Sequence, residues 1–188
     1  HYDEAIEYYK RSMERRGAQL ETMTKARLLA NIGYSEYRRG NFDAAMKYHT
    51  EARDLAEKSQ YSSLLAYIYY NLGIMFTETD NPEASLEYLN RSLQYYNQLG
   101  LKNGVLQVLN ALGAANFKIG NFAQSRKYLG QAVALGKQIH APDQVKLSYE
   151  TLYLMYEKTG HERAAHQYLK LNTNAKDPLK NTFESKTI

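Results

Sequence analysis

The sequence predicts an all-α fold, a solenoid of antiparallel helix hairpins repeating every 40 residues. Three observations carry this. Tyrosine recurs at Tyr8, Tyr48, Tyr88, Tyr128 and Tyr168, an interval that chance rarely sustains so long. Three positions before each tyrosine stands a small side chain, Ala5, Ala45, Ser85, Ser125 or Ala165, and leucine follows the later ones at Leu89, Leu129 and Leu169. Turn residues keep the same interval at Gly40, Asp80, Gly120 and Gly160, with Gly33, Gly73 and Gly113 seven positions ahead of the first three. Self-similarity at about 20–50 residues marks a repeat architecture, in which hairpins stack because none buries its apolar face alone.

The elements follow in order. His1 to about Arg16, within a partial repeat 1–20, reads as the second helix of a hairpin, with Ala5, Ile6, Tyr8, Tyr9 and Met13 on its apolar stripe. His1-Tyr2-Asp3-Glu4-Ala5 aligns with His161-Glu162-Arg163-Ala164-Ala165. The first helix of that opening hairpin, and any targeting sequence, is therefore expected upstream. The stripe of Ile6, Tyr9 and Met13 is expected to be covered by a neighbouring molecule, or to fray. Four hairpins follow at about 22–60, 62–100, 102–140 and 142–172. Their first helices start near Thr22, Ser62, Lys102 and Pro142, and their second helices near Phe42, Pro82, Phe122 and Glu162. Pro82 and Pro142 suit a first helical turn, where the missing N–H loses no partner.

Gly40, Gly120 and Gly160 fit the left-handed residue that ends a helix, a slot Asp80 fills less comfortably. Gly33, Gly73 and Gly113 fall inside helices, at a cost of about 1 kcal/mol each relative to alanine. Close approach of the second helix, through its small column of Ala45, Ser85 and Ser125, is the expected return. The tyrosine column is then expected to fill the wider gap between units. The fourth unit departs from the pattern, with Tyr153 in place of the glycine and Glu162 in place of the aromatic. Residues 173–188 read as a tail, with a turn at Lys176-Asp177-Pro178-Leu179 and a helix beginning near Phe183.

Composition narrows the function classes. Hydrophobic residues at 44% and charged residues at 23% are those of an ordinary soluble protein, and a repeat array is expected to form one continuous core. The net charge is +4, but lysine and arginine are interleaved with acids rather than clustered, which is not the footprint of a nucleic-acid reader. Without cysteine there is neither a disulfide nor a thiolate metal site. No apolar stretch approaches the roughly 18 residues needed to cross a bilayer.

The residues Asn31-Ile32-Gly33, Asn71-Leu72-Gly73, Gly40-Asn41-Phe42, Ala45, Tyr48 and Ala52 together form a pattern that resembles the tetratricopeptide repeat, over residues 1 to about 172. The resemblance implies a right-handed α-solenoid. Two departures are the 40-residue spacing against the usual 34, and serine at several alanine positions. The six extra residues imply longer helices. Units this long resemble three groups: sensor proteins of Bacteroidetes-type bacteria, bacterial peptide-pheromone regulators, and animal spindle-orientation adaptors. The tail, Lys176-Asp177-x-Leu179-x-Asn181 then Ser185-Lys186-x-Ile188, is similar to the segment leaving the array in the first group. There it leads to a membrane helix, a coiled coil and a histidine kinase or transcription-factor output.

No catalytic constellation, metal site or cofactor motif is found. The histidines are His1, His49, His140, His161 and His166, and the last two, five apart, fall on different helix faces. His49 stands in the leucine column and reads as a core-edge residue. Asn90-Arg91-Ser92 matches a glycosylation acceptor but lies within a helix. What remains is surface. The resemblance implies a concave groove lined by the first helices, and assigns partner-binding positions to Arg27, Asn31, Tyr34, Arg38, Tyr67, Tyr70, Asn71, Gln107, Asn110 and Lys118.

The mixture of aromatics, amides and basic groups suits an extended or helical peptide. Packing against the next unit is the alternative for Tyr67 and Tyr70. The two-carboxylate clamp of chaperone-binding members is unmatched, because Ala30 and Tyr34 stand where lysine and asparagine are needed. The expected function is a non-catalytic module that recognises a protein or peptide, with self-association as a further expectation. Nucleic acid and membrane contact are not expected of these residues. The context expected first is the periplasmic sensory domain of a bacterial signalling protein; the alternative is a cytoplasmic regulator or scaffold.

Overall fold

The computed structural model describes residues 1–17, 20–79 and 81–174, and among them every regular element is helical. The helices are α1 (Tyr2–Arg16), α2 (Thr22–Arg38), α3 (Phe42–Lys58), α4 (Ser62–Glu78), α5 (Pro82–Gln98), α6 (Lys102–Lys118), α7 (Phe122–Gln138), α8 (Pro142–Lys158) and α9 (Glu162–Asn174). The fold class is the predicted one, an all-α solenoid type built from helix hairpins. From α2 to α8 every helix has 17 residues. Pairs of such helices with three-residue turns generate the 40-residue period, and α9 runs two residues past the expected end of the array. The tail motif, its turn and the helix near Phe183 lie outside the described residues, as does Asp80.

Local chemistry explains the boundaries. Pro82 and Pro142 open α5 and α8, and the side chains of Asn81 and Asn121 accept from the backbone of Ala84 and Gln124 at 3.3 and 3.4 Å. After α2, α7's neighbour α6, and α8, glycine takes the left-handed conformation, with φ of 83°, 80° and 72° at Gly40, Gly120 and Gly160. The next amide then reaches back five residues, as Asn41 to Glu36 at 2.9 Å and Asn121 to Asn116 at 2.8 Å. Gln60 and His140 make the same turn without being glycine, at φ 50° and 55°.

The chain groups into two compact units, His1–Gly100 and Leu101–Ile188, where the unbroken period predicts one continuous array. The first buries Leu29, Ile68 and Leu72 among Ala26, Ala30, Ala52 and Ala56. The second is centred on Leu129, Val145, Tyr149, Leu152 and Met155.

Two packing expectations need correction. The glycine column receives the leucine column. A methyl group at Gly73 would lie 2.5 Å from Leu89 Cγ, and one at Gly113 2.5 Å from Leu129. The small column instead supplies hydrogen bonds: Ser125 Oγ donates to the Gly113 carbonyl at 2.8 Å, and Ser85 and Thr77 share a hydroxyl contact at 2.6 Å. Tyr88 and Tyr168 of the tyrosine column pack within their own hairpins rather than between units. Tyr88 stacks on Phe76 and Tyr69 of α4, and Tyr168 stacks on Tyr156 and meets Tyr149 of α8 at a tilt.

Those two corrections settle the ends of the pattern. Tyr8 has no preceding helix among the described residues and is 70% exposed, so it is not part of a buried stripe. Ile6 is buried nonetheless, and Ala5, Tyr9 and Met13 are half-buried, with α1 packed on α2. At the other end Tyr153 replaces the glycine, and Leu169 has no recess to enter and is exposed.

Candidate functional site

The first unit gathers a group of its tyrosines around α2 and α4. Tyr34 on α2, with Tyr67 and Tyr70 on α4, are half-buried; Tyr34 lies close enough to raise the proton affinity of the Tyr67 and Tyr70 phenols, and Tyr67 that of Tyr70. In Tyr67 and Tyr70 the larger cause of the upward shift is burial itself. Tyr9 of α1 and Tyr96 of α5 join them; burial, then Tyr70 and Tyr67, pushes Tyr96 up to about 12. Tyr37 is held well above the usual phenol range, first by burial and then by its hydrogen bond to the Glu78 carboxylate.

Asn71 lies on the same face as Tyr67, one helical turn on. It is only 2% exposed, and its Nδ2 has no hydrogen-bond partner. Its amide opposes the effect of burial on the Tyr67 phenol, though no hydrogen bond joins the two side chains. A buried donor without an acceptor costs about 1–3 kcal/mol, and native proteins leave few of them.

Arg38 closes this face at the end of α2. Its guanidinium donates to the Tyr34 hydroxyl at 2.8 Å and lies over two rings, 5.4 Å from the centroid of Tyr2 and 5.8 Å from that of Tyr34. Among the described residues no carboxylate pairs with it. Its neighbour Arg39 is different, bound to Asp3 at 2.8 Å and to Glu36 at 3.1 Å. Arg27 is exposed, and Asn31 is half-buried with its carbonyl accepting from Ser35 at 2.9 Å.

In the second unit the assigned positions separate. Gln107 and Lys118 are exposed. Asn110 is 4% exposed and serves as a clamp between α6 and α8, which corrects its assignment to a free binding surface. Its Nδ2 donates to the Gln144 carbonyl and Oε1 at 3.0 and 3.1 Å, and Ser148 Oγ donates to its Oδ1 at 2.5 Å. The equivalents of Tyr67 and Asn71 here are Gln107 and Ala111, so the tyrosine face is not repeated.

The positional count over first helices finds Tyr34, Tyr67, Tyr70, Asn71 and Arg38. It misses Tyr2, Tyr9 and Tyr96, which come from second helices and enter through tertiary packing. His49 also departs from expectation: it is fully buried rather than at the core edge, neither ring nitrogen has a partner, and burial lowers its pKa to about 4. Among the described residues no group of three or more His, Asp or Glu could hold a metal ion, and no helix is long and apolar enough to cross a membrane. A shallow depression along α1, lined by Asp3, Ile6, Glu7, Lys10, Arg11 and Glu14, has mixed charge and no aromatic wall.

Two stretches, residues 24–98 and 105–145, match family models described as tetratricopeptide repeat. A curated relative, Regulatory protein RapK of Bacillus subtilis (strain 168), is 30% identical over 89 residues, 47% of this chain and 22% of that protein's length. The match thus spans about a fifth of the relative. The crystal structure of BtubC (BKLC) from P. vanneervenii superposes with a TM-score of 0.83 over 95% of this chain and 74% of that one, at 15% identity, a likeness of fold.

Proposed function

From a chain built of tetratricopeptide repeats over residues 24–98 and 105–145, an architecture of protein–protein interaction, we propose a peptide-recognition module within a regulatory protein. An extended peptide lies on the α2–α4 face of the first unit, and no residue of the chain takes part in catalysis. The observation that carries this reading is Asn71. Its buried, unpartnered Nδ2 is satisfied when a peptide backbone carbonyl enters among Tyr34, Tyr67 and Tyr70. The tyrosines supply rigid contact area with hydrogen-bonding tips. The partial similarity to a protein named as regulatory supports the regulatory role.

The test is capture from a degenerate heptapeptide pool on the immobilised protein, with thermal melting alongside. Asn71→Leu removes a buried polar burden and keeps the volume, so it should hold or raise the melting temperature while weakening capture on the order of tenfold. No captured peptide, or capture indifferent to Asn71→Leu, would sink the reading.

A second reading places the same module as the periplasmic sensory part of a bacterial signal-transduction protein, with binding or self-association relayed through the tail to an output domain. It rests on the Lys176–Ile188 motif and the 40-residue period. Sequencing the gene past Ile188 decides it; the absence of both a membrane helix and an output module there argues for the cytoplasmic regulator.

A further inference from the structure

Arg38 is prepared for an anion that no carboxylate among the described residues supplies. Tyr2 and Tyr34 bracket its planar guanidinium, and the Tyr34 hydroxyl takes one of its five N–H donors. The remaining fork suits a carboxylate, which accepts two parallel N–H bonds. Arg11, Arg39, Arg53 and Arg91 all have carboxylate partners within the chain. The acid at the matching position of α4, Glu78, is engaged by Tyr37. The exposed charges on the α2 side of the face are then Arg27 and Arg38, both positive.

We propose that the first unit selects peptides bearing an aspartate or glutamate side chain, whose carboxylate is received by Arg38. This deepens the peptide-binding reading and rests on it. Arg38 is on α2 and Asn71 on α4, so one peptide crossing the face is proposed to meet both.

The experiment presents the whole 188-residue chain with three fluorescein-labelled degenerate heptapeptide pools, each read by anisotropy. One is neutral and C-terminally amidated, one is amidated with a single glutamate, and one is neutral with a free C-terminus. The glutamate pool should bind on the order of tenfold more tightly than the neutral amidated pool. Arg38→Gln should bring the two to parity while still binding the neutral pool, and Arg38→Lys should recover part of the preference. Because Arg38 is exposed, circular dichroism of both variants should match the parent. Equal binding of all three pools by the unmodified chain overturns the carboxylate inference and leaves peptide recognition standing. A preference that follows the free C-terminus also overturns it. Binding of none of the pools removes both readings together.

Discussion

The imidazole of His49 lies against Gly33: a methyl group at position 33 would stand 3.0 Å from its Cγ and Cδ2. In the next two hairpins the same recess, at Gly73 and Gly113, is filled by Leu89 and Leu129. One hairpin thus carries a titratable ring where its siblings carry a hydrocarbon.

His49 should make the first unit acid-sensitive. Its pKa is near 6.5 when unfolded and about 4 when folded, because burial disfavours the cation. Between those values the unfolded chain binds more protons, so stability rises with pH and is lost as pH falls from 6.5 through 4. The contribution is on the order of 3 kcal/mol. Urea melts at pH 7 and pH 4 should show that loss, and His49→Leu should abolish most of it. An unchanged pH dependence in His49→Leu would refute the assignment.

Adding a methyl group inside the recess should be costly despite the better helix propensity of alanine. Gly113→Ala and Gly73→Ala each place a Cβ about where a leucine branch already sits, for a net loss of about 1–3 kcal/mol. Gly33→Ala meets the His49 ring at 3.0 Å, a looser contact, and should lose less. Chemical denaturation of the three variants gives the order directly.

Asn110→Ala should destabilise by about 1–3 kcal/mol, since it removes the bonds to Gln144 and to the Ser148 hydroxyl that join α6 to α8, leaving Ser148 only the Gln144 carbonyl. The same variant should leave peptide capture within twofold of the parent. A loss of capture at unchanged stability would restore Asn110 to the binding surface.

Two turns that set a residue other than glycine in the left-handed conformation invite a stabilising change. Gln60 and His140 hold φ of 50° and 55°, where a side chain costs about 1–2 kcal/mol. Part of that is offset by the greater flexibility of unfolded glycine. Gln60→Gly should raise stability by on the order of 1 kcal/mol, read as a shift in melting temperature.

Helix type, order and starting points were legible because prolines, glycines and the tyrosine interval mark each boundary. The direction in which a column packs was not. A period states that Tyr88 and Tyr168 share an environment, without stating that the environment is the partner helix of their own hairpin. Asn110 illustrates the same limit, since no spacing within the repeat reveals that Ser148 and Gln144 come to meet it. The leucine column places His49 at the core, but a polar ring in that column does not by itself reveal that it is fully buried. The division at Gly100 is equally silent, because the repeat runs through Leu99-Gly100-Leu101 without a break. The tyrosine face was partly visible, but Tyr2, Tyr9 and Tyr96 reach it from helices that a count of first helices passes over.

The uniform 17-residue helices have a genetic corollary. An insertion or deletion of a few codons inside a helix turns every later side chain of that helix about its axis, by about 100° per residue, and one early in α5 or α7 carries Leu89 or Leu129 out of its notch. Gain or loss of a whole hairpin preserves the phase. Descendants of this chain can change in length most cheaply by whole modules, and shorter indels persist where they fall in the connecting turns.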